Sequence, residues 1–265
     1  MSRTHFSHHV VLRFGALTLL TFAAAACGDD DDDTGAAAIA EVEDVARTTF
    51  ESDDSNADYF FAHATDNIIE TVFFTTREEC MASAVECIGE PASILSISGT
   101  VIDGDAASTN VLSDLGPFRL DLVREDGTWK VDALLADSDE VPEGAAVVDL
   151  TLAEFSFEFD PRQIPAGGNF AFRTGNVGAQ THEVVLVGIP DGATLEEALE
   201  PVFAEEVPPI ALKVFIRPGQ EDVDIAFAEP LAPGKYALVC FFPDTDDPEF
   251  TAHVEKGMLA EFTVQ

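Results

Sequence analysis

Apolar residues first follow a helical period and then, from about residue 93, a period of two. Ile39, Val42, Val45 and Ala46 recur at spacings of three and four, the stripe of an amphipathic helix. A second helical stretch runs through Tyr59-Phe60-Phe61, Ile68-Ile69 and Val72-Phe73-Phe74, and a third begins near Thr76. Ile94 to Ile102 then alternates, meets Asp103-Gly104 and returns through Ala106 to Leu112. Phe118 to Arg124 meets Glu125-Asp126-Gly127 and returns through Thr128 to Leu134. Asp-Gly between alternating runs marks a hairpin, so this half reads as an α+β unit with an antiparallel meander wrapped on helices.

Beyond the acidic, Pro/Gly-containing stretch Asp137 to Gly144 the pattern is strand-rich. Val147 to Leu152, Phe155 to Phe159, Asn169 to Arg173, Val184 to Val187, Val223 to Phe227, Tyr236 to Phe242 and Leu259 to Val264 are short apolar runs punctuated by Pro and Gly. Such spacing predicts an all-β Greek-key sandwich. One insertion is helical, with Thr194 and Glu197 in capping-box positions. The predicted layout is a targeting segment at 1–26, a tether at 27–37, the α+β unit at 38–137, a linker at 138–146 and the sandwich at 147–265.

Charge changes this picture by exclusion. With 50 acidic and 13 basic residues the formal net charge is −37, which repels nucleic acid and anionic lipid heads. Basic proteins and cations are the partners such a surface admits.

At the N-terminus Arg3 and Arg13 precede an uncharged run, Phe14 to Ala26, which suits a signal-peptide core and is too short to span a bilayer. The run ends in Ala24-Ala25-Ala26-Cys27-Gly28, followed by Asp29 to Asp33. This resembles the lipobox of bacterial lipoproteins, which implies export, lipidation of Cys27 and a membrane anchor at the cell envelope. Export implies an oxidising compartment. Cys80 and Cys87 are then a plausible disulfide pair. A straight helix would separate them by about 10 Å, more than the roughly 4.4–6.8 Å a disulfide bridges, so either the helix breaks between them or the pair stays open. We expect a break and a bond. Cys240 is left as an unpaired thiol, for which metal ligation is a good reason.

The phrase Leu120 to Asp132 resembles the final hairpin of nuclear transport factor 2-like domains, a resemblance covering about residues 38–136. Family members range from isomerases and dehydratases to binding modules. His63, Tyr59 and Asp66 are the candidate acid/base groups here, and at helical spacing they also fit a plain surface; fold resemblance alone confers no activity.

Cys240, His253 and Met258 follow one another near the C-terminus, and His182 lies upstream. One thiolate, two imidazoles and a thioether are the donor set of a blue-copper site. The stretches Asn176-Val177-Gly178, Ala232-Pro233-Gly234-Lys235-Tyr236 and His253 to Met258 resemble the cupredoxin family along about residues 147–265. That resemblance implies one type 1 copper ion, with His182, Cys240 and His253 equatorial and Met258 axial. Twelve residues separate Cys240 from His253, and among them Asp244, Asp246, Asp247 and Glu249 would lower the potential or recruit a basic redox partner. With the signal peptide removed only His63, His182 and His253 remain, too few for a second copper centre. Electron transfer or copper carriage therefore outranks catalysis. The alternatives are a copper-free envelope module for binding or assembly, and an enzyme or small-molecule binder in the first half.

Overall fold

The computed structural model describes residues 32–88, 92–113, 116–204 and 206–265. The signal peptide, Cys27 and the start of the acidic tether lie outside the described residues. No described helix is long and apolar enough to cross a membrane.

The first helix, α1 (Asp32–Phe50), begins ahead of the expected position 38, so residues 32–37 of the segment read as tether are helical. Its stripe buries Val42, Val45 and Ala46, whereas Ile39 is exposed. The second helical stretch is two helices, α2 (Ala57–His63) and α3 (Asp66–Val72). They part at Thr65, whose hydroxyl accepts from Ile68 N and caps α3. In α4 (Arg77–Ala82), Thr76 and Glu79 form a capping box. Ser83 leaves helical geometry before α5 (Ala84–Ile88). That break brings the Cα atoms of Cys80 and Cys87 to 5.2 Å, and a disulfide joins them.

Four antiparallel strands follow in order, β1 (Ile94–Asp103), β2 (Ala106–Ser113), β3 (Gly116–Glu125) and β4 (Thr128–Ala136). Asp126 and Gly127 both have positive φ, 51° and 82°, as a two-residue type I′ hairpin requires. Leu120, Leu122, Trp129 and Val131 pack with Val42, Phe60 and Ile69 from the helices into one hydrophobic cluster. His63 and Tyr59 stack on each other, with ring centroids 3.9 Å apart; Asp66 is bonded to Arg77.

The remaining strands form two further four-stranded sheets. One has the order β10 (Val223–Ile225), β7 (Phe170–Asn176), β5 (Ala146–Ala153), β6 (Ser156–Glu158); the other has β12 (Leu259–Val264), β11 (Gly234–Val239), β8 (His182–Ile189), β9 (Ala211–Ile216). Inward-facing Leu150, Leu152, Phe172, Leu186, Leu238 and Phe262 share one core, in which Phe170, Phe172, Phe227 and Phe262 meet edge to face. The pair β5 and β7 is parallel, so this sheet is mixed. One strand is not expected from the sequence: β9, bounded by Pro208-Pro209 and Pro218-Gly219. The expected helical insertion is α6 (Leu195–Phe203), with Thr194 and Glu197 forming its capping box.

The stretch read as a linker is bonded into place. Lys213, 3% exposed, donates to Asp137 O (2.9 Å) and Asp139 Oδ1 (2.7 Å), and Asp139 N donates to Asp224 O. Arg217 reaches across from the end of β9, its Nε donating to Leu134 O (2.8 Å) and its Nη2 to Thr71 Oγ1 (2.7 Å). Phe74 and Phe215 each meet Phe242, at centroid distances of 5.6 and 5.3 Å. The helical layer therefore touches the loop that follows Cys240.

Candidate metal centre

Strand pairing sets the position of Cys240. Val239 lies opposite Val185 in the β11/β8 ladder, so the next residue, Cys240, comes level with the start of β8, where His182 and Glu183 stand. The Glu183 N–H points at Cys240 Sγ at 3.4 Å.

The loop to His253 is long but closed at its base. Val254 N donates to Cys240 O (2.8 Å), His253 N to Phe242 O (2.8 Å) and Asp244 N to Thr251 O (2.9 Å). His253 opens a short 3-10 turn, His253–Lys256, which Gly257 ends at φ 105°, a left-handed conformation glycine adopts without strain. Met258 N then donates to His253 O, and Cys240 N to Met258 O. The twelve-residue separation is thus taken up by a hairpin-like excursion, and His253 is delivered by the rungs at its base.

His182, Cys240 and His253 are brought together with donor atoms all within 4.8 Å of one another. All three are 0% exposed. The two Nδ1 atoms are 3.1 Å apart, and His253 Nδ1 is 3.4 Å from Cys240 Sγ. Bond lengths of about 2.0–2.1 Å to nitrogen and 2.3 Å to sulfur give ligand–ligand edges of roughly 3.3–3.6 Å, so the observed edges suit a single small cation with slight expansion. Met258 is fully buried in the same cluster as Cys240, and its carbonyl is bonded to the Cys240 amide.

The protons in this cluster are at odds without a cation. His253 Nε2 faces Gln180 Oε1 at 3.2 Å, which assigns it a proton and leaves Nδ1 as a lone pair. His182 Nε2 is buried and makes no hydrogen bond, while Glu154 Oε1 lies 3.5 Å from it. A proton on His182 Nε2 would face that carboxylate but set two Nδ1 lone pairs against each other. A proton on Nδ1 would relieve that clash but turn a bare Nε2 toward the carboxylate. Positive charge at the point where the Nδ1 atoms and the sulfur converge resolves both.

Burial pushes the Cys240 thiol well above its ordinary pKa, with the Glu183 carboxylate adding to the effect. Burial likewise lowers His253 to about 4, and the neighbouring His182 adds to that. His182 is lowered too, by burial against the pull of Glu154. Glu183 is raised to about 7 by burial, partly offset by the Phe241 N–H it accepts at 2.7 Å. At neutral pH the cluster without a cation is a thiol between two uncharged imidazoles, and metal binding would release the thiol proton.

No family model matches the chain, and no curated protein matches it. Among solved structures the chain is similar to dithionite-reduced auracyanin from the photosynthetic bacterium Roseiflexus castenholzii, at 25% identity over 46% of this chain and 99% of that one, with a TM-score of 0.30. It is also similar to auracyanin B, at 21% identity over 49% and 98%, again with a TM-score of 0.30.

Several groups around the cluster are not evident from the sequence pattern. Glu154, just past β5, accepts from the N–H groups of Ala179 and Gln180, both at 2.7 Å. A Cβ at Gly178 would fall 2.5 Å from that carboxylate, so any larger residue there would displace it from the Ala179 and Gln180 N–H groups. Asn176, which the sequence did flag, donates from Nδ2 to Gln180 O and Ile216 O and accepts from Gly178 N, and so shapes the turn leading to His182. Phe155 lies 5.0 Å from the His253 ring. In the acidic loop, Asp244 is 5% exposed and ion-paired with Lys256, which also holds Asp247 at 2.7 Å. Those pairs direct two of the loop's four carboxylates inward.

Proposed function

We propose that this chain binds one copper ion through His182, Cys240 and His253, with Met258 as a weak fourth ligand, and that it works in single-electron transfer. The observation that carries the reading is the convergence of three buried donor atoms, two nitrogen and one sulfur, within 4.8 Å of one another. Copper would supply the change between one-electron states, for which mixed thiolate and imidazole donors are suited. The protein would supply rigidity. Cys240 is held through the Val254 and Met258 backbone, His182 starts a strand and His253 is tied to Phe242, so the donor positions would change little between states. Complete burial of all three donors supports electron transfer over catalysis, because no donor faces a route by which substrate would reach the metal.

We further read residues 147–265 as a cupredoxin-like domain, and the helices with the β1–β4 meander as a separate domain of the nuclear transport factor 2-like kind. On the sequence of residues 1–31 we propose export and a lipid anchor at Cys27 that holds the protein at the cell envelope. The exposed acidic surface would favour a basic redox partner.

Titration of the reduced, metal-free protein with Cu(II), followed by visible absorption, tests the central claim. An intense thiolate-to-copper band that saturates at one equivalent is expected. Folded protein that takes up copper without that band, or takes up none, overturns it.

A further inference from the structure

Gln180 reaches the outer nitrogen of His253, and its amide orientation is set by partners that each have a single role. Thr245 N–H can only donate, and it lies 3.0 Å from Oε1. The Asp244 carboxylate can only accept while ionised, and its Oδ1 lies 2.7 Å from Nε2. Asp244 stays ionised because Lys256 bonds to it, with Gln180 adding a further hydrogen bond, and its pKa falls to about 2. A flipped amide would put hydrogen against hydrogen at Thr245 and oxygen against oxygen at Asp244. The atom 3.2 Å from His253 Nε2 is therefore an acceptor, and Nε2 must carry the proton.

The backbone on either side is equally constrained. Gln180 N donates to Glu154 Oε1, and Gln180 O accepts from Asn176 Nδ2 at 2.8 Å. Gln180 is 9% exposed. A buried amide fixed at both ends of its side chain acts on the imidazole it meets.

From this geometry, and resting on the copper reading above, we propose that Gln180 is the positioning residue that fixes His253 as its Nε2–H tautomer. His253 Nδ1 is thereby kept bare and aimed at the metal, and Asp244 and Lys256 of the acidic loop hold Gln180 in place. The outer edge of His253 is closed by this amide, so the loop serves the site from inside the protein as well as presenting charge outside.

Ring nitrogen chemical shifts of ¹⁵N-labelled, metal-free protein test the assignment directly. Wild type should show His253 protonated at Nε2 and bare at Nδ1. Gln180→Leu should shift the ring toward a tautomer mixture and weaken Cu(II) affinity about 10- to 100-fold, the usual loss when a ligand's supporting hydrogen bond is removed. Gln180→Glu combined with Asp244→Asn keeps an acceptor for Thr245 and His253 and restores a donor opposite the second carboxylate oxygen, so this double variant should retain the wild-type tautomer. Wild-type His253 protonated at Nδ1, or a folded Gln180→Leu protein with unchanged ring shifts and copper affinity, overturns the proposal. A wild type with the expected ring shifts but no copper band overturns the copper reading alone, since the shifts are measured without metal.

Discussion

Glu183 is bonded to both sides of the Cys240 peptide region: its backbone N–H points at Cys240 Sγ at 3.4 Å, while its side-chain Oε1 accepts from Phe241 N at 2.7 Å. One residue thus meets the sulfur with a donor and the adjoining amide with an acceptor. The donor favours thiolate, whereas the buried carboxyl disfavours negative charge nearby.

This sets a pH dependence for the metal-free protein. The Glu183 pKa is raised from 4.5 to about 7 on folding, so the native state holds more protons than the unfolded chain between those values. Its contribution is fully present below about 4.5 and is lost as pH rises through 7, a loss of about 3 kcal/mol. Glu183→Gln retains an acceptor for Phe241 and cannot ionise. Urea unfolding should show the variant gaining on wild type between pH 4.5 and 8.

His253 works in the opposite sense. Its pKa falls from 6.5 to about 4 on folding, so the unfolded chain binds the extra proton between those values. Stability from this group is complete above 6.5 and declines as pH drops toward 4, again by about 3 kcal/mol at most. Metal-free His253→Gln should lack that acid-side decline when compared with wild type at pH 7 and pH 4.5.

Cys240→Ala should abolish the visible copper band, because the thiolate is its source. Saturating Cu(II) at about 100 times Kd should stabilise wild type by roughly 2.7 kcal/mol, and calorimetry should show the melting shift in wild type and none in the variant.

The disulfide should be separable from the metal. A Cys80→Ser, Cys87→Ser double variant removes a short closed loop, worth about 2 kcal/mol in the chain-entropy view. Denaturant midpoints should fall accordingly, while the copper titration stays at wild-type stoichiometry and band position.

At the junction, Arg217→Ala should cost about 2–4 kcal/mol. It strips the partner from the Leu134 carbonyl and leaves Thr71 Oγ1 without this donor. Limited proteolysis should then cut more readily around residues 137–144.

Local chemistry made much of the fold legible. Asp126-Gly127 announced its hairpin, Thr194/Glu197 announced a helix start, and the order His182, Cys240, His253 announced a donor set. Each of these is a signal carried by residues near one another or by a rare combination of types. Glu154 and Gln180 carry no such signal. They reach the site because the chain beyond β5 is folded against the turn after β7, a relation that depends on the parallel β5/β7 pairing. β9 was hidden for a different reason: its burial pattern does not alternate, and Lys213 sits inside it as a buried charge whose partners lie some 74 to 76 residues upstream. Ile39 fits the α1 stripe yet is exposed.

The rungs joining Cys240 to Val254, Phe242 to His253 and Asp244 to Thr251 make the outer turn of that loop a cul-de-sac. Chain can enter and leave it without carrying strain to the donors behind. The tip around Pro248 and Glu249 is therefore a natural place to graft a peptide or a fluorophore. A reporter set there would ride within a few residues of the His182, Cys240 and His253 cluster while leaving its scaffold intact.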